Sequence, residues 1–242
     1  MKKHKICKIL LVILAIFLCV AFYELLGICV AYKKQPEVSN TTKKETKNGS
    51  WNECSENTER AVIIEKNPEA LLQRVRLIKN AKKEIILSTF AFQSDESGKL
   101  ILGALHDAAD RGVHIRLLVD GMESWIDMEG NPYFYGLSSH ENVEIKLYNK
   151  ANPLKPWKMM GRMHDKYLIA DGKRYILGGR NIHNYFLGDF PGHKNYDRDV
   201  LVVCDEPEKE NSVNQLSEYF ETIWNQEDSG YFHNNKKLAN RK

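Results

Sequence analysis

The sequence predicts an α/β domain, a mixed sheet flanked by helices, preceded by one N-terminal transmembrane helix. Short apolar runs alternate with segments of helical periodicity, which is typical of α/β domains. Between residues 84 and 120 a strand, a helix and a second strand follow one another, as in a βαβ unit. The N-terminal run from Ile6 to Tyr32 is apolar and longer than the ~20 residues that cross a bilayer.

The charges beside the apolar run predict its orientation. Lysines at 2, 3, 5 and 8 precede it and lysines at 33 and 34 follow it, so the positive-inside bias favours a cytoplasmic N-terminus. The remaining chain would then lie on the outer face of the membrane. A cleaved signal peptide also fits a basic start and an apolar core, but no clear small-x-small cleavage site follows. A retained anchor is therefore favoured, with Glu24 near an interface.

The chain divides by composition into four segments. Residues 1–34 form the anchor, and residues 35–59 are polar and read as a tether. Residues 60–228 form the domain, and residues 229–242 form a polar tail.

The elements of the domain follow in order. Asn67-Pro68 predicts a helix start, and apolar residues recur at helical spacing from Leu71 to Ala81. The βαβ unit comprises a strand over 84–92, a helix over 98–111 closed by glycine, and a strand over 113–120. A strand over 143–148, a hairpin and a closing helix over 207–226 complete the domain.

The hairpin, within Gly161 to Asn181, carries the residues that could attack a phosphodiester. On an extended segment His164 and Lys166 point to the same face, and Asp171-Gly172 is a hairpin signal. The returning strand brings Asn181 and two glycines, Gly178 and Gly179, back beside His164. A lysine, an amide and glycine N–H groups can cancel the charge on phosphate oxygens. A neutral imidazole can then attack near neutral pH, so neither metal nor cofactor is required.

The pattern His164-x-Lys166-x4-Asp171-x6-Gly178-Gly179-x-Asn181 resembles the HKD signature of the phospholipase D superfamily. The Gly-Gly-Arg-Asn form is most similar to the N-terminal half of bacterial cardiolipin synthase-like proteins. The resemblance implies a phospholipase D-like fold with His164 as a covalent phosphohistidine. It also implies that Lys166 and Asn181 hold the phosphoryl oxygens.

Two acidic residues remain to be placed by the resemblance. Asp171 would support the site, although the hairpin turn alone explains an Asp-Gly pair equally well. In the family a downstream acid hydrogen-bonds the nucleophilic imidazole. Asp199, which opens the apolar strand DVLVVC, is favoured over Asp197 for this role.

The sequence departs from the family pattern by containing a single motif. The family combines two motifs, so that one histidine attacks and the other acts as general acid and base. Neither His114 nor His193 has the residues that would open a second motif. Either two chains pair across a twofold axis or a C-terminal half is missing, and a lone monomer would be nearly inert.

The segment before the motif, Ala151 to Met163, predicts a loop at the mouth of the site. Trp157 would meet an acyl chain, while Lys158 and Arg162 would bind head-group phosphate. A loop that packs over its own core is an equal alternative.

Charge and cysteine usage narrow the function. Outside residues 1–34 the chain holds 29 basic and 31 acidic residues, a formal charge of −2 that disfavours nucleic acid as partner. The five cysteines form no zinc-binding pattern, and Cys204 reads as a small core residue. The sequence therefore predicts a membrane-anchored phosphodiesterase or phosphatidyltransferase acting on phospholipid. A metal-independent homodimeric nuclease and a truncated, non-catalytic half-enzyme are the alternatives.

Overall fold

The computed structural model describes residues 2–33, 38–40, 43–44, 59–206 and 211–233, which belong to two compact units. The first unit contains the N-terminal helix and the segment 151–161. The second contains the described residues of 55–150 and 162–242. The sequence placed 151–161 within the domain, so its association with the N-terminal helix is a difference from that prediction.

The predicted N-terminal helix is confirmed as a continuous helix, α1, over Lys2–Lys33. Its apolar part, His4–Lys33, has 30 residues and meets the length and composition of a membrane span. At 1.5 Å per residue it is about 45 Å long, which exceeds the ~30 Å hydrocarbon core of a bilayer.

The second unit is built on the predicted mixed sheet, which has eight strands among the described residues in the order β1-β7-β6-β5-β2-β3-β4-β8. The strands β2, β3 and β4 are parallel to one another, and every other pairing is antiparallel. The strands are β1 Glu59–Ile64, β2 Glu84–Thr89, β3 His114–Asp120, β4 Val143–Tyr148, β5 Lys166–Ala170, β6 Arg174–Gly178, β7 Asp199–Cys204 and β8 Ser229–Tyr231.

Helices flank this sheet, and the predicted βαβ unit is confirmed as β2, α3 and the parallel strand β3. The carboxylate of Asp95 caps α3 by accepting the N–H of Gly98, and the side chain of Asn211 caps α6 in the same way. The helices are α2 Asn67–Asn80, α3 Glu96–Asp110, α4 Trp125–Met128, α5 Pro132–Ser138 and α6 Ser212–Trp224. A 3₁₀ turn, Pro156–Lys158, lies in the first unit.

Several predicted boundaries were wrong. The strand expected to reach Phe92 ends at Thr89, and α6 begins at Ser212, while residues 207–210 lie outside the described part of the chain. The segment assigned to a polar tail begins with the strand β8, followed by the fully buried Phe232. A three-residue strand at a sheet edge carries too little apolar periodicity to be read from sequence.

The sheet separates two apolar cores because side chains alternate along each strand. Ile85 and Leu87 pack into the larger core with α2 and α3, whereas Ile86 packs into the smaller core with Phe220 of α6. Cys204 is buried in the smaller core, which confirms its prediction as a core residue.

The predicted Asp-Gly hairpin joins β5 to β6. Asp171 and Gly172 have φ angles of 55° and 62°, and the N–H of Lys173 donates to the carbonyl of Ala170 over 3.1 Å. Such a turn matches the twist of the strands it connects.

Asp171 has a structural role at the hairpin turn, which is the alternative that the sequence left open for it. Its carboxylate accepts the backbone N–H groups of Lys83, Lys82 and Glu84 over 2.7, 2.9 and 3.1 Å, which fastens the hairpin to the start of β2. Strand β5 runs between Asp171 and His164, so the two side chains lie at opposite ends of it. Partial burial opposes ionisation of Asp171, but the N–H donors outweigh it and lower the pKa of this carboxyl.

Replacing Asp171 with asparagine should destabilise the fold without altering the chemistry. Asparagine tolerates positive φ but brings no negative charge to the three N–H groups, so we expect a loss of about 1–3 kcal/mol at pH 7. The carboxylate stabilises the fold above its unfolded pKa of about 3.9, and this contribution disappears as pH falls through the lower folded pKa. Denaturation at pH 7 and pH 3 measures the difference, which should shrink at pH 3. A loss of turnover per folded molecule would contradict this structural role.

Candidate functional site

The candidate site lies at one edge of the sheet, where the carboxyl ends of two strands lie beside the amino ends of their antiparallel neighbours. The carboxyl ends of β2 and β6 and the amino ends of β5 and β7 share this edge, because β5 and β7 run antiparallel to their neighbours. Lys166 pairs with Thr89 and Gly178 pairs with Asp199 in the sheet register. Residues distant in sequence are therefore brought together here.

His164 and Lys166 meet on the ring of Phe90, a residue that the sequence analysis did not identify. The exposed imidazole of His164 lies 4.7 Å from the Phe90 ring, measured between centroids. The ammonium of Lys166 lies 5.4 Å from the centre of the same ring, within the range of a cation–π contact. It also donates to the backbone carbonyl of His164 over 2.8 Å. The cation thereby holds the backbone of the residue that carries the imidazole.

Asn181 follows β6 and is held from the same segment. Its side-chain oxygen accepts the N–H of Ala91, the neighbour of Phe90, over 3.2 Å. The carboxamide nitrogen is then the end left to donate to a ligand. The structure thus brings three predicted residues, His164, Lys166 and Asn181, to the segment that follows β2.

Gly178 and Gly179 make room for aspartates, and their predicted role as phosphate-binding backbone stays a prediction. A Cβ atom on Gly178 would lie 2.0 Å from Oδ1 of Asp199, and one on Gly179 would lie 2.0 Å from Oδ2 of Asp197. No side chain fits at such distances. The glycines therefore decide where two carboxylates lie.

Asp199 is paired with two arginines. The hydrogen bond to His164 that the resemblance implied for it is not formed. Its Oδ2 atom lies 2.8 Å from Arg74 and 3.2 Å from Arg180, and all three side chains are almost fully buried. Its other oxygen is buried and accepts no hydrogen bond from the described residues. A buried carboxylate is stable only when paired in this way, so the two arginines give Asp199 a structural role.

The charges of two aspartates, Asp165 and Asp197, reach Lys166. Burial lowers the pKa of Lys166, and the negative charges of Asp165 and Asp197 oppose part of that change. Asp197 also lines an open cavity of about 400 Å³, together with Glu65, Tyr196 and Arg198. Of Asp197 and Asp199, Asp197 is the one whose charge acts on Lys166, after the larger contribution of Asp165.

Asp120, at the carboxyl end of β3, holds the chain that enters the motif. This fully buried carboxylate accepts the backbone N–H of Met163 over 3.1 Å and contacts the Arg162 guanidinium over 3.3 Å. Arg162 also donates to the carbonyl of Asn149 over 2.5 Å. Arg162 was predicted to bind head-group phosphate. In the structure its contacts with Asp120 and Asn149 help to hold the segment that leads to His164.

Trp157 and Lys158 lie in the unit that contains α1. Their predicted contacts with an acyl chain and a head group stay predictions.

Residues 74–224 match the family described as "Cardiolipin synthase, PLD-like domain", and the chain therefore belongs to this phospholipase D-like family. It is 30% identical to cardiolipin synthase C of Escherichia coli over 154 residues, which are 58% of this chain and 31% of that protein. The chain thus spans less than a third of that relative's length.

Solved structures show the same fold. The phospholipase D family member Nuc from Salmonella typhimurium superposes with a TM-score of 0.52 at 19% identity, over 72% of this chain and 99% of that one. Phosphatidylserine synthase from Haemophilus influenzae gives a TM-score of 0.55 at 18% identity, over 74% and 41% of the two chains.

Substituting each aspartate by asparagine should separate their roles. In Asp199→Asn two buried guanidinium groups lose their counter-charge, so we expect a destabilisation of about 3–5 kcal/mol. In Asp197→Asn the pKa of Lys166 should fall, which moves the alkaline limb of the pH–rate profile to lower pH with little change in stability. Denaturation curves and pH–rate profiles of both variants test this. An alkaline limb that moves only in Asp199→Asn would reverse the two assignments.

Gly179→Ala should act through Asp197. The new methyl group must displace the Asp197 carboxylate, so the alkaline limb should shift as it does in Asp197→Asn. In an Asp197→Ala background the same substitution should add little, because the clash is gone.

Gly172→Ala is the matched control for that comparison. Its φ is positive, at 62°, which that of Gly179 is not, and its Cβ would meet nothing within 4 Å, so a backbone strain of about 1–2 kcal/mol without any clash is expected. Equal shifts of the pH–rate profile in both alanine variants would disprove the steric argument.

Proposed function

We propose that the chain is a membrane-anchored phosphodiesterase or phosphatidyltransferase that acts on phospholipid through a phosphohistidine at His164. The observation that carries this proposal is the convergence of an exposed imidazole, a buried ammonium and a side-chain amide at one sheet edge. Membership of the phospholipase D-like family supports the same chemistry.

The first step would form a bond between an imidazole nitrogen of His164 and phosphorus. The bond from phosphorus to the leaving alcohol breaks, and that oxygen takes a proton from a general acid. Lys166 and Asn181 would stabilise the negative charge on the non-bridging oxygens during this displacement. In the second step the general acid, now deprotonated, takes the proton of water or of a lipid alcohol, whose oxygen attacks phosphorus as the bond from phosphorus to the imidazole nitrogen breaks. Asp197 would assist by favouring the charged form of Lys166.

The general acid would be His164 of a second copy of this chain. The sequence contains one HKD motif, and a reaction that both makes and breaks a phosphorus–oxygen bond needs a proton donor opposite the nucleophile. A twofold axis would place two identical motifs face to face. Each histidine could then serve in either role.

The helix α1 supports the membrane part of the proposal. Its apolar length suffices to span a bilayer, and the lysines before it favour a cytoplasmic N-terminus with the catalytic unit on the outer face. Residues 1–34 would form the anchor and 35–58 a tether, and the catalytic unit would continue from β1 through β8.

Mixing native and His164→Ala chains tests the chemistry and the shared site together. If both histidines of a dimer are needed, activity in co-expressed mixtures should follow the square of the native fraction, because mixed dimers are inactive. Head-group release from phosphatidylglycerol in EDTA is the readout, and pure His164→Ala should also form no acid-labile phosphoenzyme.

His106→Ala provides the control, since His106 is an exposed histidine of α3 that contacts Asp110 instead of the motif. Its mixtures should keep full activity at every ratio. A linear dependence in the His164→Ala series would exclude a shared site, and cleavage of single-stranded DNA with no action on lipid would favour a nuclease. Inactivity of the pure native chain on both substrates would support a non-catalytic half.

A further inference from the structure

The segment 151–161 packs specifically against the last third of α1. The hydroxyl of Tyr23 donates to the carbonyl of Leu154 over 3.1 Å. At Gly27 a Cβ atom would lie 2.5 Å from the Cγ of the buried Pro156, so only glycine permits this approach. Glycine within a helix costs about 1 kcal/mol relative to alanine, and the contact with Pro156 explains its presence here.

The same segment exposes large apolar side chains around this contact. Leu154 is 78% exposed, Met160 55% and Trp157 45%. Lys155, which lies between Leu154 and Trp157 in the sequence, is also exposed. A short stretch that combines exposed apolar and aromatic groups with a lysine is suited to a lipid–water interface.

The position of the contact along α1 fixes the depth of the segment. The lysines before the apolar run mark one membrane surface, and the ~20 residues that cross the hydrocarbon core then end near residues 25–28. Tyr23 and the half-buried Glu24 lie just before that point, and both residue types favour the region near the head groups. The segment bound at Tyr23 and Gly27 therefore lies at the far interface.

We infer that segment 151–161 and the last third of α1 form one membrane-interface module. Leu154, Trp157 and Met160 enter the acyl-chain region, while Lys155 contacts anionic head groups. This inference depends on the anchor in the proposed function and does not depend on its catalytic chemistry.

Depth-dependent quenching of tryptophan fluorescence tests the module in the full chain. The protein is reconstituted in vesicles of phosphatidylcholine and phosphatidylglycerol whose acyl chains carry bromine. Trp157→Phe should remove most of the quenching seen with the native chain. Trp125→Phe is the matched control, because Trp125 is similarly exposed, at 48%, but belongs to the other unit, and it should leave the quenching unchanged. Equal quenching of native and Trp157→Phe chains would overturn the inference.

Two further variants separate the parts of the inference. Lys155→Glu should weaken quenching in phosphatidylglycerol-rich vesicles, whereas Lys173→Glu, at the exposed hairpin, should not. Equal effects of the two would remove the head-group contact. His164→Ala should quench like the native chain, so a failure of the catalytic proposal is distinguishable from a failure of the module.

Discussion

The buried contact of Asp199 with Arg74 and Arg180 holds the candidate site in place. Arg180 also donates to the carbonyls of Ile64 and Glu65 over 3.2 and 2.6 Å and to the backbone carbonyl of Asp197. One side chain thereby joins the end of β1, the start of β7 and the end of β6. Each of these charges would be costly if buried alone, so the triad resists local change. The neighbouring residues Asn181 and Asp197 take their positions from this rigid frame.

The two glycines next to this triad make room for two aspartates, one of which contributes to stability and the other to the charge at the motif. Gly178 admits a carboxylate that faces the arginines, and Gly179 admits one whose charge acts on Lys166. The pairing of Gly178 with Asp199 in adjacent strands sets both positions at once, since Gly179 and Asp197 lie one and two residues beyond it. A shift of one residue in this register would place Arg198 opposite Gly178 and turn both acids to the other face of the sheet.

The sequence predicts those parts of the fold that depend on local chemistry. The βαβ unit follows from periodicity and the hairpin from its Asp-Gly turn, and both are confirmed. The partners of Asp171 and Asp199 could not be predicted, because a carboxylate in sequence does not reveal whether arginines, N–H groups or an imidazole will face it. Phe90 carries no signal beyond an apolar residue within a predicted strand. The packing of 151–161 on α1 joins residues more than 100 positions apart, and no local pattern reports such a contact.

In the proposed function every chain carries a membrane anchor, which limits how two copies could share a site. Both helices must enter the same membrane in the same direction, so a twofold axis that relates them has to run along the membrane normal. Any other axis would turn one anchor away from the bilayer. Under this restriction the two His164 residues lie at the same height above the lipid, on opposite sides of the axis. A phosphate brought to that height could be attacked by one imidazole while the other protonates the leaving alcohol, which is the arrangement that in-line displacement at phosphorus needs. The anchor would therefore contribute to catalysis by fixing the orientation in which two half-sites meet.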